Sequence, residues 1–278
     1  MKRFVFLFAL IALFAVNEAS AKTGDVITGY VTCVEKDGSR HSVEMMFQIT
    51  SQNLKYVRIY GYCNDSGFHN SLSLYERLDL FDGCEIIVPE KMGDYTVTAV
   101  GQYAFCYCWA KVTLPESVTD IEDYAFAGYK YNEYDFVLPS KVRFLGKYAF
   151  QNSYLKGISL NDNLKNIGDY AFEDCTSLQE LIIPKSVEYI GKGITTWTST
   201  LPVGGIDRVE VESGCNNYYT PEGSNVIMET KTKTIIAGCP NSRIPEETRG
   251  IAQDAFHGTI FTNTSITIPE DRTKSFLS

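Results

Sequence analysis

One short phrase returns along this chain at a near-constant step. Tyr103-Ala104-Phe105 recurs as Tyr124-Ala125-Phe126, Tyr148-Ala149-Phe150 and Tyr170-Ala171-Phe172, and Asp254-Ala255-Phe256 echoes it. Successive Phe residues lie 21, 24, 22 and then 84 positions apart. A repeat this short cannot bury its own apolar face. It gains a core only by stacking on its neighbours, so the chain is constrained to a solenoid.

One repeat, residues 163–184, shows the parts. Ile167, Ala171, Cys175 and Leu178 are spaced as the stripe of a short helical segment. Leu181 and Ile183 alternate about Ile182 as a short strand does. Pro184 lacks an N–H and turns the chain. The strand slots align as Ile86/Val88, Val112/Leu114, Phe136/Leu138, Ile158/Leu160, Leu181/Ile183 and Ile266/Ile268. A second apolar pair repeats as Val97/Val100, Val118/Ile121, Val142/Leu145, Leu164/Ile167 and Val187/Ile190. The expected fold is a leucine-rich-repeat solenoid in which short parallel strands alternate with short helical segments. Gly101, Gly146, Gly168 and Gly191 share one column, which calls for either a positive φ or a close backbone approach. Asp123, Lys147, Asp169 and Lys192 alternate in sign in the next column and are expected to fix coil register as a solvated ladder.

The ends differ from the middle. Lys2 and Arg3, the apolar run from Phe4 to Val16, and Ala19-Ser20-Ala21 read as a signal peptide cleaved after Ala21. The run is shorter than the roughly 20 residues of a membrane span. A secreted, periplasmic or cell-surface protein without a membrane span is therefore expected. Residues 22–85 lack the repeat, alternate apolar stretches such as Val26 to Val34 and Val43 to Ile49, and are expected to form a small β-rich cap. Residues 86–278 are expected to form the solenoid, with a hairpin insertion at about 205–240.

Removing residues 1–21 takes the net charge from −9 to about −10. An acidic chain without a basic block argues against nucleic acid and anionic membranes as partners. The three His are scattered, and no phosphate loop, His-Glu-x-x-His or Gly-x-Ser-x-Gly motif occurs. The expectation is no enzyme, no cofactor and no metal. Cys108 and Cys175 each sit three residues after a repeat Phe, in a core-facing slot, and lie too many coils apart to bridge. Both are expected to be buried free thiols. Pairing of Cys33, Cys63, Cys84, Cys215 and Cys239 stays open.

Aromatic residues gather after the Ala-Phe phrase. Tyr107 and Trp109 follow Phe105, Tyr129, Tyr131 and Tyr134 follow Phe126, and Tyr154 follows Phe150. The three loops belong to consecutive coils. Together these six rings are the candidate ligand-binding edge, because exposed Tyr and Trp give large contact area at low entropy cost. The competing reading folds several of them over the coil ends as core.

Residues 115–126 (PESVTDIEDYAF) and 167–184 (IGDYAFEDCTSLQELIIP) resemble the BspA-like leucine-rich repeats of bacterial surface proteins. Residues 225–239 (NVIMETKTKTIIAGC) look like the hairpin insertion found in such proteins. Lys192-Gly193-Ile194 departs from the pattern. The resemblance implies noncatalytic binding or adhesion to an extracellular or host protein. A glycan-binding surface protein and a structural or inhibitory scaffold are the alternatives.

Overall fold

The computed structural model describes residues 22–64, 67–68, 84–130, 135–196, 198 and 205–257. The expected signal peptide and the strand slot Ile266/Ile268 lie outside the described residues.

Two parallel ladders carry the two apolar pairs. The first runs through Tyr95–Val100, Asp120–Ile121, Phe144–Leu145, Asn166–Ile167 and Tyr189–Ile190, with Val100, Ile121, Leu145, Ile167 and Ile190 in register. The second is broken into pairs: Glu85–Ile87 with Lys111–Thr113, Phe136–Val137 with Ile158–Ser159, and Glu180–Ile183 with Arg208–Val211. Every pairing in both is parallel, as successive turns of one coil require. Most inward residues are buried, with Leu114, Ile158 and Leu160 partly so, and they join one core that extends from the N-terminal strands to Cys239.

The expected helical segments are not there: the described residues contain no helix. The Tyr-Ala-Phe stretch is instead a run of turns, and its hydrogen bonds show why. Tyr103, Phe105 and Tyr107 donate their N–H groups to Asp123, Ala125 and Ala127 of the next coil at 3.3, 2.8 and 2.8 Å. Ala104, Cys106 and Cys108 donate back to Gly101, Tyr103 and Phe105 at 3.1, 3.1 and 3.2 Å. Alternate amides thus serve the stack and the local turn, which leaves none of the continuous i→i−4 bonding of a helix. The backbone departs accordingly. Tyr103, Tyr124, Tyr148 and Tyr170 have φ between 55° and 59°, a left-handed conformation that a right-handed helix excludes. Gly193 takes this column in the fifth coil at φ 64°, so its departure from the phrase keeps the conformation while losing the ring.

The phrase builds two aromatic ladders. Phe105, Phe126, Phe150 and Phe172 stack at successive centroid distances of 5.3, 5.2 and 5.8 Å and are all buried. Tyr103, Tyr124, Tyr148 and Tyr170 stack at 4.9, 4.8 and 5.0 Å and stay half-buried. The glycine column is explained by close approach, not by positive φ. A Cβ on Gly168 would lie 2.6 Å from the Gly146 carbonyl carbon, and one on Gly191 would lie 2.4 Å from the Asp169 nitrogen. In the neighbouring column the carboxylates hold register in two ways. Asp123 and Asp169 accept the N–H of Lys147 and Lys192 at 2.7 and 3.1 Å, and Lys147 pairs with Asp169 at 3.4 Å.

At the N-terminal end, β1 (Val26–Val34), β2 (Arg40–Ser51) and β3 (Tyr56–Asn64) form an antiparallel meander. Its edges continue both ladders, because β3 pairs parallel with Tyr95–Val100 and β1 pairs antiparallel with Glu85–Ile87. The carbonyl of Ile59 accepts the Gly101 N–H at 2.7 Å, as Ile121 accepts that of Gly146. The meander therefore supplies the acceptors a preceding coil would supply. Arg58 bridges it to the stack, reaching both oxygens of Glu122 at 2.6 Å and Gln48 at 2.9 Å.

Beyond the fifth coil, Val226–Glu229 and Thr234–Gly238 form an antiparallel hairpin, and the latter pairs parallel with Gly250–Ile251. Ladder edges end on side chains. Ile190 N–H meets the Tyr218 hydroxyl at 3.0 Å, and Val209 and Val211 N–H groups meet Asn225 Oδ1 at 2.9 Å and Thr220 Oγ1 at 3.0 Å. Such caps satisfy backbone groups that would otherwise invite another strand.

Candidate functional site

The coil after each repeat Phe sorts its residues by position. Two places on lies the column Tyr107, Gly128, Asn152 and Asp174, every member with positive φ. The Tyr107 ring covers Gly128, where a Cβ would come within 2.4 Å of it, so Tyr107 is half-buried. Three places on lies the core column Cys108, Tyr129, Ser153 and Cys175. Four places on lie Trp109, Lys130 and Tyr154, on the surface.

Tyr129, placed on the candidate edge by sequence, is a core ring, 1% exposed. It meets Phe126 and Phe136 edge-on at 5.5 and 5.8 Å. Its hydroxyl accepts the Val112 N–H at 3.0 Å. The second ladder breaks here, between Lys111–Thr113 and Phe136–Val137, and the phenol takes the place of the missing strand. A cavity of about 230 Å³ opens beside the break, lined by Lys111, Thr113, Asp135 and Val137 among others. Tyr131 and Tyr134 lie outside the described residues.

Trp109 and Tyr154 are 37% and 39% exposed. Lys130 stands between them in the stack. Its N–H donates to the Cys108 carbonyl at 2.9 Å, and the Tyr154 N–H donates to the Tyr129 carbonyl at 2.8 Å, which sets the three residues on successive coils. Lys130 Nζ lies 3.7 Å from the Tyr154 ring centroid, a cation–π contact. Sequence reading missed Lys130, although its position four residues after Phe126 marks it as readily as Trp109 and Tyr154.

The thiols near this edge are poor nucleophiles. Burial pushes Cys108 and Cys175 up to about 12, and Cys106 up to about 11. Cys175 donates to the Phe150 carbonyl at 3.1 Å. Cys108 and Cys175 are the free buried thiols the repeat positions required. The Tyr ladder ends at Tyr170, whose hydroxyl donates to Asp254 Oδ2 at 2.7 Å; that contact raises the phenol to about 12.

Residues 79–201 match the BspA type leucine rich repeat region, in six copies. These residues carry BspA-type leucine-rich repeats. Among solved structures, a leucine-rich repeat protein from Eubacterium ventriosum is similar at 22% identity and TM-score 0.60, over 84% of this chain and 58% of that one. The pneumococcal vaccine antigen PcpA is similar at 20% identity and TM-score 0.53, over 85% of this chain and 62% of that one. The chain thus spans less than two thirds of either, and at these identities the likeness is one of fold. No curated protein matches the sequence. Among the described residues, no helix is long and apolar enough to cross a membrane.

Proposed function

We propose that this BspA-type repeat protein is a noncatalytic binding protein, exported to the cell surface or beyond, that holds an extracellular or host protein on its coil edge. The observation that carries this reading is the column of exposed Trp109, half-buried Lys130 and exposed Tyr154 on three successive coils. Trp and Tyr anchor protein interfaces, and a Lys between them offers a cation to a partner carboxylate. Tyr107 borders the column, and Tyr131 and Tyr134 belong to the same edge by sequence.

The glycan alternative needs an open aromatic face for a sugar ring. Lys130 Nζ sits over one face of Tyr154, which favours the mixed protein-binding reading. The repeat family and the pneumococcal antigen's likeness of fold support surface display. An array of purified matrix proteins and glycans, probed with the wild type and with Trp109→Ala, tests the proposal. Protein signals that fall about tenfold in the variant support it. Binding to glycans alone, or protein signals indifferent to Trp109, rejects it.

A further inference from the structure

The β1–β2 hairpin brings together three residues that the sequence leaves scattered. Cys33 and His41 stand directly opposite each other in the antiparallel register. Glu35 follows Cys33 by two residues and so returns to the same side of the strand direction. One ligand atom from each, the Cys33 thiol, a Glu35 carboxylate oxygen and a His41 ring nitrogen, lie within 4.8 Å of one another. Within that triangle His41 Nδ1 is 3.5 Å from Glu35 Oε1.

A second thiol adjoins the first. Cys84 precedes the strand Glu85–Ile87 that pairs with β1, in the register Val34 with Glu85 and Cys33 with Ile86. Cys33 and Cys84 are both buried. Three donors of sulfur, nitrogen and oxygen type thus converge, with a second thiol just before the neighbouring strand. The inner side of the cluster is closed by the thiols, and the outer side is open through His41 and Glu35.

We infer that Cys33, Glu35 and His41 form a three-ligand binding site for a divalent zinc ion. Thiolate, imidazole and carboxylate are the ligand types that zinc takes, at about 2.0–2.3 Å. In a tetrahedron with bonds of that length, ligand atoms lie about 3.3–3.8 Å apart. A separation of 4.8 Å or less therefore needs a contraction of roughly an ångström, within reach of side-chain rotation at the partly exposed Glu35 and His41. A plain His–Glu ion pair accounts for two of the residues only. It gives no reason for the buried thiol pair on the same corner.

The test is equilibrium dialysis of the purified, reduced protein against zinc, with metal content read by mass spectrometry. Cobalt substitution is read by its thiolate charge-transfer band. The expected result is one zinc per chain, a cobalt band lost in Cys33→Ser, and affinity lowered at least about tenfold in His41→Ala. His41 is partly exposed, so that variant is expected to keep its fold, checked by circular dichroism. No stoichiometric zinc on the reduced protein overturns the proposal. Binding unchanged in both variants overturns it too. So does isolation of a Cys33–Cys84 disulfide whose reduced form takes up no zinc.

Discussion

Replacing Phe150 with Ala removes the centre of the phenylalanine ladder. The ring is fully buried. It stacks on Phe126 at 5.2 Å and 8° and on Phe172 at 5.8 Å and 9°, and Phe136 meets it edge-on at 5.1 Å and 71°. Truncation of a buried Phe costs about 3–5 kcal/mol when its surroundings relax only partly. Here relaxation is hindered, because the rings above and below are fixed by backbone bonds between coils, Phe126 to Ala149 at 2.8 Å and Phe150 to Ala171 at 2.9 Å. The expected cost is therefore about 4 kcal/mol, a large part of a domain's usual stability of roughly 5–15 kcal/mol. Urea unfolding followed by tyrosine and tryptophan fluorescence measures it. Val137→Ala, at a 69% exposed position, is the control and is expected to change stability by about 0.5 kcal/mol or less. A loss below about 1 kcal/mol for Phe150→Ala would refute the buried ladder.

Three further outcomes follow from the same geometry. Gly168→Ala places a Cβ 2.6 Å from a backbone carbon of the adjacent coil and is expected to cost about 1–3 kcal/mol in the same unfolding assay. Burial raises the Glu173 carboxyl above its ordinary value, against the hydrogen bonds from Gln151 and Thr196 that lower it. The folded state then holds its proton longer than the unfolded state, so this group's favourable contribution is full below the unfolded pKa and is lost as pH rises through the folded one. Glu173→Gln should therefore gain melting temperature relative to the wild type as pH rises from acid to neutral; a difference independent of pH contradicts the assignment. Arg58→Ala removes the contact of Nη1 with both Glu122 oxygens and should raise hydrogen exchange at the cap–coil junction, read at the Gly101 amide, more than at Gly168.

Much of the stack was legible because columns in sequence become columns in space. The inward pairs Ile86 with Val112 and Phe136 with Ile158 are in parallel register, as the alternation about a central residue required. The helical segment was misread because turns that bond every third residue bury nearly the same spacing as a helix. The distinguishing signal lay in the column Tyr107, Gly128, Asn152 and Asp174. Gly, Asn and Asp are the residues that tolerate positive φ most readily, and all four adopt it. Tyr129 was legible by the rule that placed Cys108 and Cys175 inward, since it too stands three residues after its Phe. Its hydroxyl bond to Val112 was not legible, because it depends on the break in the ladder between Lys111–Thr113 and Phe136–Val137. The cluster of Cys33, Glu35 and His41 depends on hairpin register, which no local spacing reports.

The central claim is that identical columns of successive coils touch. A double-mutant cycle on the half-exposed tyrosine ladder tests it most directly. Tyr124 and Tyr148 stack at 4.8 Å and 12°, whereas Tyr103 and Tyr170 are separated by both of them. With Tyr→Ala changes and urea unfolding, Tyr124 and Tyr148 should show a coupling of about 0.5–1.5 kcal/mol. Tyr103 and Tyr170 should be additive within about 0.5 kcal/mol. Equal coupling in both pairs, or additivity between Tyr124 and Tyr148, contradicts the stacked-coil arrangement.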